Sequence, residues 1–275
     1  MQRDSIANTF RVAILLCLVC SVAVSALAVG LRSTQKQKKE EFRQQNILKA
    51  AGLWPEDPAG VKTAELFEKS ITSVVVDFVT DQPTDKWQAG APEIEIEAAL
   101  RDSKLSQLIN GGEETGTDVA GIRRREQFST IYEVRDGDKL KTVVLPIRGY
   151  GLWSTLWGFI AIDFTAATAD PQSLKVVGLT YYKHAETPGL GGEVDNPAWQ
   201  QKWPGKGVFD TDWSVKLEVA KNAAGDYQVD SLSGATLTSN GVSNMLVYWL
   251  GENGYGPYLK SLLSQQAGLP ATKGN

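Results

Sequence analysis

The chain's 275 residues hold one large domain or two small ones, and 42% hydrophobic with 22% charged residues is a folded protein's composition, not a disordered one's. A formal net charge of −4 and a pI near 5.2 exclude the broad basic face that nucleic acid demands, so no nucleic-acid partner is expected. Two cysteines, Cys17 and Cys20, and one histidine, His184, leave no set for a His-rich metal centre and no thiol beyond the first apolar segment.

That segment comes first. Residues 12–31, "VAILLCLVCSVAVSALAVGL", run for 20 residues without a charge. At about 1.5 Å per residue they span about 30 Å, the thickness of a bilayer core. They predict a single transmembrane helix, with residues 1–11 as a short tail. A cleaved signal peptide competes, since Ala26-Leu27-Ala28 suits signal peptidase. The run exceeds the roughly 7–15 apolar residues of a signal core, and a helical stretch follows it, which favours a retained anchor. Within lipid, Cys17-x-x-Cys20 reads as two small apolar residues, and neither has the setting of a lipoprotein cleavage box. Arg3 and Arg11 precede the segment while Arg32, Lys36, Lys38, Lys39 and Arg43 follow it. The positive-inside rule then points the following domain to the cytoplasm, but the rule is weak for long domains, and charge leaves the orientation open.

Residues 32–55 carry "KQKKEEFRQQNILKAAGL", with Phe42, Ile47, Leu48 and Ala51 among charges, Gly52 as a stop and Pro55 beyond. A membrane-proximal amphipathic helix is expected, its Lys36–Lys39 run solvated or facing headgroups. A second helix is expected near residues 61–71. Strand signals follow in "SVVVDFVT" (73–80) and in the alternating first half of "EIEIEAAL" (93–100). Arg123–Arg125 reads as a solvated basic edge. Residues 129–147 set Asp136-Gly137 between two alternating runs, a strong hairpin signal. "WGFIAIDF" and "LKVVGLTYY" add two strands, and residues 213–232 predict a further hairpin turning at Ala224-Gly225. Short connections imply an antiparallel sheet, and helices at both ends make residues 56–275 one α+β domain. The last helix is expected over 238–250, with Val242, Met245, Leu246, Trp249 and Leu250 facing the core and Gly251 and Gly254 ending it.

The stretch "DSLSGATLTSNGV" (230–242) gathers five hydroxyls, Ser231, Ser233, Thr236, Thr238 and Ser239, around Gly234 and Ala235. Thr238 or Ser239 suits the N-cap of the coming helix. Capping does not require Gly234-Ala235 beside Thr236; such small residues leave backbone open to a bulky group, and a helix N-terminus attracts phosphate. Upstream, residues 187–192, "TPGLGG", form a turn whose backbone can lie close to a flat ring with Leu190 packed on it.

Asp230-x-x-Ser233-Gly234-Ala235-Thr236 resembles the flavinylation motif, Asp-x-x-Ser/Thr-Gly-Ala-Thr/Ser, of FMN-bind domains. The resemblance implies that a flavin transferase using FAD and Mg²⁺ joins the phosphate of FMN to Thr236 by a phosphoester bond, the alcohol displacing AMP, with Asp230 positioning or deprotonating it. Leu237-Thr238-Ser239-Asn240-Gly241-Val242, "GYGLWSTLWGFIAID" (149–163), "HAETPGLGGEVDNPAW" (184–199) and "YWLGENGYGPYL" resemble one branch, the family of C subunits of the Na⁺-translocating NADH:quinone oxidoreductase. The implied FMN contacts are Gly151, Leu152, Trp153, Glu186, Thr187, Gly189, Leu190 and Gly191, with Asp230, Ser233, Gly234, Ala235, Leu237, Thr238 and Ser239 around the attachment point. The implied protein is an electron relay in a bacterial inner-membrane complex that oxidises NADH, reduces ubiquinone and moves Na⁺ outward. Its partners would be the other subunits and, during maturation, the flavin transferase, with the domain on the periplasmic side. No metal ligand is expected, and no NADH site either, since no strand-borne Gly-x-Gly-x-x-Gly opens a helix, which makes the chain a relay without a complete catalytic site. Two alternatives stand: the G subunit of the related Rnf complex, and a membrane-anchored module that binds a phosphate ligand without redox chemistry. A serine hydrolase is excluded by the lack of a Gly-x-Ser-x-Gly elbow.

Overall fold

A computed structural model describes residues 6–79, 82–83, 96–109 and 117–266. The chain divides into two compact units, Met1–Arg43 and Gln44–Asn275. In chain order the elements are α1 (Ile6–Ala50), α2 (Thr63–Ser70), β1 (Thr72–Asp77), β2 (Gln82–Pro83), α3 (Ile96–Ala99), β3 (Ser106–Leu108), β4 (Arg124–Glu126), β5 (Phe128–Asp136), β6 (Lys139–Tyr150), β7 (Thr155–Asp163), β8 (Lys175–Lys183), α4 (Pro197–Gln200), β9 (Glu218–Ala220), β10 (Gln228–Asp230), α5 (Thr236–Leu250) and α6 (Gly256–Gln266).

The first unit is helical throughout its described part and contains a stretch long and apolar enough to cross a membrane, none of it buried. The separate amphipathic helix expected after residue 35 is instead a continuation of α1 to Ala50. No proline interrupts the chain there, and the Lys38–Glu41 (2.7 Å) and Arg43–Glu40 (3.5 Å) pairs at i,i+3 support the helix across its polar stretch.

The second unit is built on a six-stranded sheet of order β2-β1-β5-β6-β7-β8, with antiparallel neighbours throughout. The hairpin expected at Asp136-Gly137 is present, with Asp136 opposite Lys139. Alternation divides the strands between two cores. One face carries Ile131, Leu145, Ile160 and Leu179, and lies in one buried cluster with the stripe of α5 (Val242, Met245, Leu246, Trp249, Leu250) and with Leu259 and Leu263 of α6. The other face carries Tyr132, Val144, Phe159 and Ala161, clustered with Ile47, Leu48, Ala50 and Ala51 from the end of α1 and its exit, and with Phe67 of α2. Thr180 of β8 donates to the Asn46 carbonyl at 3.0 Å, and a Cβ on Gly178 would stand 2.7 Å from the Ala50 carbonyl, so β8 and the end of α1 meet backbone to backbone.

Three expectations change. The strand signal in the first half of residues 93–100 falls on residues 93–95, which like Thr80 lie outside the described residues, and residues 96–99, "IEAA", form the short helix α3, in keeping with the helix propensity of Ala and Glu. The 213–232 stretch is not a hairpin, because β9 and β10 pair in parallel, Glu218 opposite Gln228. Between them the chain doubles back: Asn222 takes a left-handed φ of 59°, and the Asp230 carboxylate accepts the Ala223 N–H at 3.2 Å. The antiparallel reversal comes earlier, where Phe209 bridges Val215 and the Asp210 carboxylate accepts the Asp212 and Ser214 N–H groups. The last helix begins at Thr236, two residues before its expected start, and a further helix, α6, follows it.

Candidate functional site

Three segments converge at the start of α5: the β6–β7 turn (Gly151–Ser154), the loop after β8 (His184–Gly191), and residues 232–239. The first sets Tyr150 against α5, since a Cβ on Gly241 would fall 2.3 Å from the Tyr150 carbonyl. Only a glycine on the helix allows that approach. Gly149 performs a similar service, because its Cβ would meet Met245 at 2.6 Å.

The hydroxyls of the 230–242 stretch separate by direction. Ser233 and Thr236 are exposed, whereas Thr238 and Ser239 are buried. The two buried ones do not cap the helix as expected. Thr238 Oγ donates to Glu186 Oε2 at 2.8 Å, and Ser239 Oγ accepts the Leu232 N–H at 3.0 Å. The N-cap is Ala235, with no side-chain cap, and the helical bonds start with Ser239 N–H to the Ala235 carbonyl. The first-turn N–H groups of α5 therefore open beside the exposed Thr236 hydroxyl, a donor set suited to an anion. Gly234 takes φ +71°, and a Cβ there would also crowd Leu190 at 3.0 Å, so a side chain is disfavoured twice over.

Glu186 ties the three segments together. As a residue it is 5% exposed. Oε1 accepts the N–H of Trp153 (3.0 Å) and of Ser154 (3.0 Å), the Ser154 hydroxyl (3.1 Å) and a long contact from Leu152 N–H (3.3 Å); Oε2 takes Leu152 N–H (3.2 Å) and Thr238. Burial pushes its pKa up, but the bonds from Trp153, Thr238, Leu152 and Ser154 outweigh it and hold the pKa below the ordinary carboxylate value. Gly151 and Gly191 shape the pocket around this carboxylate, since Cβ atoms there would stand 2.8 Å from Oε1 and 2.7 Å from Oε2.

Behind Glu186, His184 Nδ1 accepts the Glu186 N–H at 3.1 Å and Nε2 meets Asp195 at 2.7 Å. The Asp195 hydrogen bond raises the imidazole pKa, burial opposes the rise, and the charges of Asp195 and Glu186 add to it. Thr187 closes the neighbouring turn, its carbonyl accepting from Leu190 and Gly192, with Gly189 at φ +76°. The apolar side chains of this region point outward: Trp153 is 67% exposed, and Leu152, Leu190 and Leu237 are exposed too.

Asp230 stands apart from this convergence. Its carboxylate pairs with Lys202 at 2.9 Å and accepts Ala223 N–H, and its carbonyl accepts Trp199 Nε1 at 2.8 Å. The hydrogen bond and charge of Lys202 lower its pKa, which weakens it as a base. Ser154, His184 and Asp195 belong to the site and were absent from the sequence-based set. His184 lies two residues before Glu186, but its partner Asp195 is reached only through the folded loop.

The FMN-binding domain family matches residues 151–251, a window that opens at the β6–β7 turn and closes at the Gly251 end of α5. The chain is 41% identical over 265 residues to the C subunit of Na(+)-translocating NADH-quinone reductase from Yersinia pestis, covering 95% of this chain and 94% of that one. It is 40% identical over 273 residues to the same subunit from Pseudomonas aeruginosa, covering 97% and 99%. Among solved structures, Shewanella oneidensis NqrC superposes with a TM-score of 0.70 at 27% identity, over 84% of this chain and 99% of that one.

Proposed function

The chain belongs to the family of Na(+)-translocating NADH-quinone reductase C subunits, and on that footing we propose that its Thr236 hydroxyl carries FMN through a phosphoester bond. The chain is an electron-transfer subunit of this oxidoreductase and translocase, with an FMN-binding domain and a candidate membrane-spanning helix. The carrying observation is the sorting of hydroxyls at the head of α5. Thr238 and Ser239 are buried and engaged, whereas Thr236 is exposed in the first turn of a helix without a side-chain cap.

The residues fit the group. The open N–H groups of the first turn and the positive end of the helix favour the phosphate. Gly234 and Ala235 leave room beside it, and the outward Trp153, Leu190 and Leu237 offer apolar surface to the ring system. When bound, FMN supplies electron acceptance and release, while the protein supplies orientation and electrostatics. Glu186 orders the turn that presents Trp153, and the 187–191 turn presents Leu190. The Asp230–Lys202 pair holds the first residue of the motif at the end of β10.

In this reading residues 12–31 are the anchor, 32–55 the connection and 56–275 the flavin domain, on the periplasmic side of the bacterial inner membrane. A flavin transferase loads the flavin there, and the other subunits of the complex exchange electrons with it. The test is Thr236→Ala in the full chain, co-produced with its flavin transferase. The wild-type band should fluoresce under ultraviolet light after denaturing electrophoresis, and the variant band should be dark. A variant that keeps a fluorescent band rejects Thr236 as the carrier.

A further inference from the structure

Resting on the reading of Thr236 as the FMN carrier, we infer that Glu186 is a positioning residue that does not touch the flavin but assembles the rim of its site and keeps behind it a negative charge held by neutral donors, with the His184 imidazole beside it. Both carboxylate oxygens are already occupied, and by neutral donors only: three backbone N–H groups of residues 152–154 and the hydroxyls of Ser154 and Thr238. Among the described residues no lysine, arginine or histidine side chain forms an ion pair with it. The pocket is fitted to a carboxylate, since Gly151 and Gly191 leave no room for a Cβ on either side of it.

Two consequences follow from that geometry. Without the carboxylate, three N–H groups of one turn lose their acceptor, and the turn that presents Trp153 loses its tie to α5. The second consequence is electrostatic. Dipoles stabilise a charge but do not cancel it, and a partly buried site screens it less than water does. A fixed negative charge behind α5 disfavours adding electrons to a ring held at Thr236, two residues from the Thr238 that binds the charge. The residue therefore sets both the shape of the rim and the ease of reduction.

The test compares Glu186→Gln with Glu186→Asp in the full, flavin-loaded chain. Gln keeps the length and removes the charge; Asp keeps the charge and shortens the reach. The midpoint potential of the flavin should move to more positive values in Glu186→Gln and stay near wild type in Glu186→Asp. An unchanged potential in Glu186→Gln, or an equal shift in both variants, overturns the electrostatic part. The positioning part is measured on flavin-free chain, through hydrogen exchange of the Leu152, Trp153 and Ser154 amides in Thr238→Val. Exchange several-fold faster than wild type is expected, and wild-type exchange there overturns the tie. Because that measurement needs no flavin and no substitution at Glu186, it stands if Glu186→Gln fails to fold. It also separates failure here from failure of Thr236 as carrier, which shows as missing covalent flavin in wild type.

Discussion

The domain buries Glu126 and Glu186 to nearly the same degree, 1% and 5% exposed, and treats them in opposite ways. Glu126, at the end of β4, pairs with the Arg148 guanidinium at 2.6 Å. Arg148 in turn lies 4.8 Å over the ring of Trp249 and donates to the Arg124 carbonyl at 2.8 Å. The two charges cancel inside the core. Among the described residues Glu186 has no ion-pair partner and is held by N–H and hydroxyl dipoles at the rim of the loops. A cancelled charge can only hold elements in place, whereas an uncancelled one also acts on what binds nearby. The contrast separates a structural carboxylate from one that serves a site.

The largest expected effect breaks the first of the two. Arg148→Met leaves Glu126 buried without a counter-ion and should cost about 3–5 kcal/mol, read from urea unfolding, whereas adding Glu126→Leu should recover much of that loss. A single variant as stable as wild type would make the pair energetically silent. Next comes Gly241→Ala. Its Cβ would stand 2.3 Å from the Tyr150 carbonyl. Forcing α5 from the turn should cost about 1–3 kcal/mol and lower the yield of covalent flavin under transferase-limited loading. A fully loaded, fully stable variant would show that the close approach is dispensable.

Smaller effects concern the two titrating groups of the loop, which run in opposite directions with pH. The folded pKa of Glu186 is lowered, so its contribution to stability is present above the ordinary value of 4.5 and lost as the pH falls through the depressed value. Acid unfolding of Glu186→Gln should lack that component. The folded pKa of His184 is raised, so its contribution is complete below the ordinary value of 6.5 and fades as the pH rises through the raised value. The Glu186 N–H aimed at Nδ1 works against protonation there, which keeps this effect the smallest of the set. His184→Asn should flatten the stability profile as the pH rises past 6.5, and an unchanged profile would assign that slope elsewhere.

Much of the sheet was legible because its signals are local. Alternation placed β5 and β6 with Asp136-Gly137 as the turn between them, the runs "WGFIAIDF" and "LKVVGLTYY" placed β7 and β8, and the five-residue stripe of α5 faces the core as its spacing requires. The motif at residues 230–236 singled out Thr236 for the same reason. What stayed hidden depends on distant partners. Thr238 and Ser239 carry capping propensity, yet Thr238 is drawn to a carboxylate 52 residues earlier in the chain, and the helix begins at Thr236 instead. The parallel pairing of β9 with β10 depends on Asn222 and Asp230 turning the chain back on itself, which strand periodicity does not register. Glu186 came into view only through the family resemblance, and its occupation by the β6–β7 turn, more than 30 residues earlier in the chain, left no local signal. Asp230, which the resemblance sets to position or deprotonate the Thr236 hydroxyl, is also paired with Lys202, a partner 28 residues earlier that the motif does not register.

The attachment itself is tested most directly by peptide mass mapping of the full chain, produced with its flavin transferase and digested after denaturation. The expected result is the mass of FMN less water on the peptide carrying residues 230–242, with fragmentation placing it on Thr236. An unmodified peptide, or the same increment on Ser233 or any other hydroxyl, would contradict it.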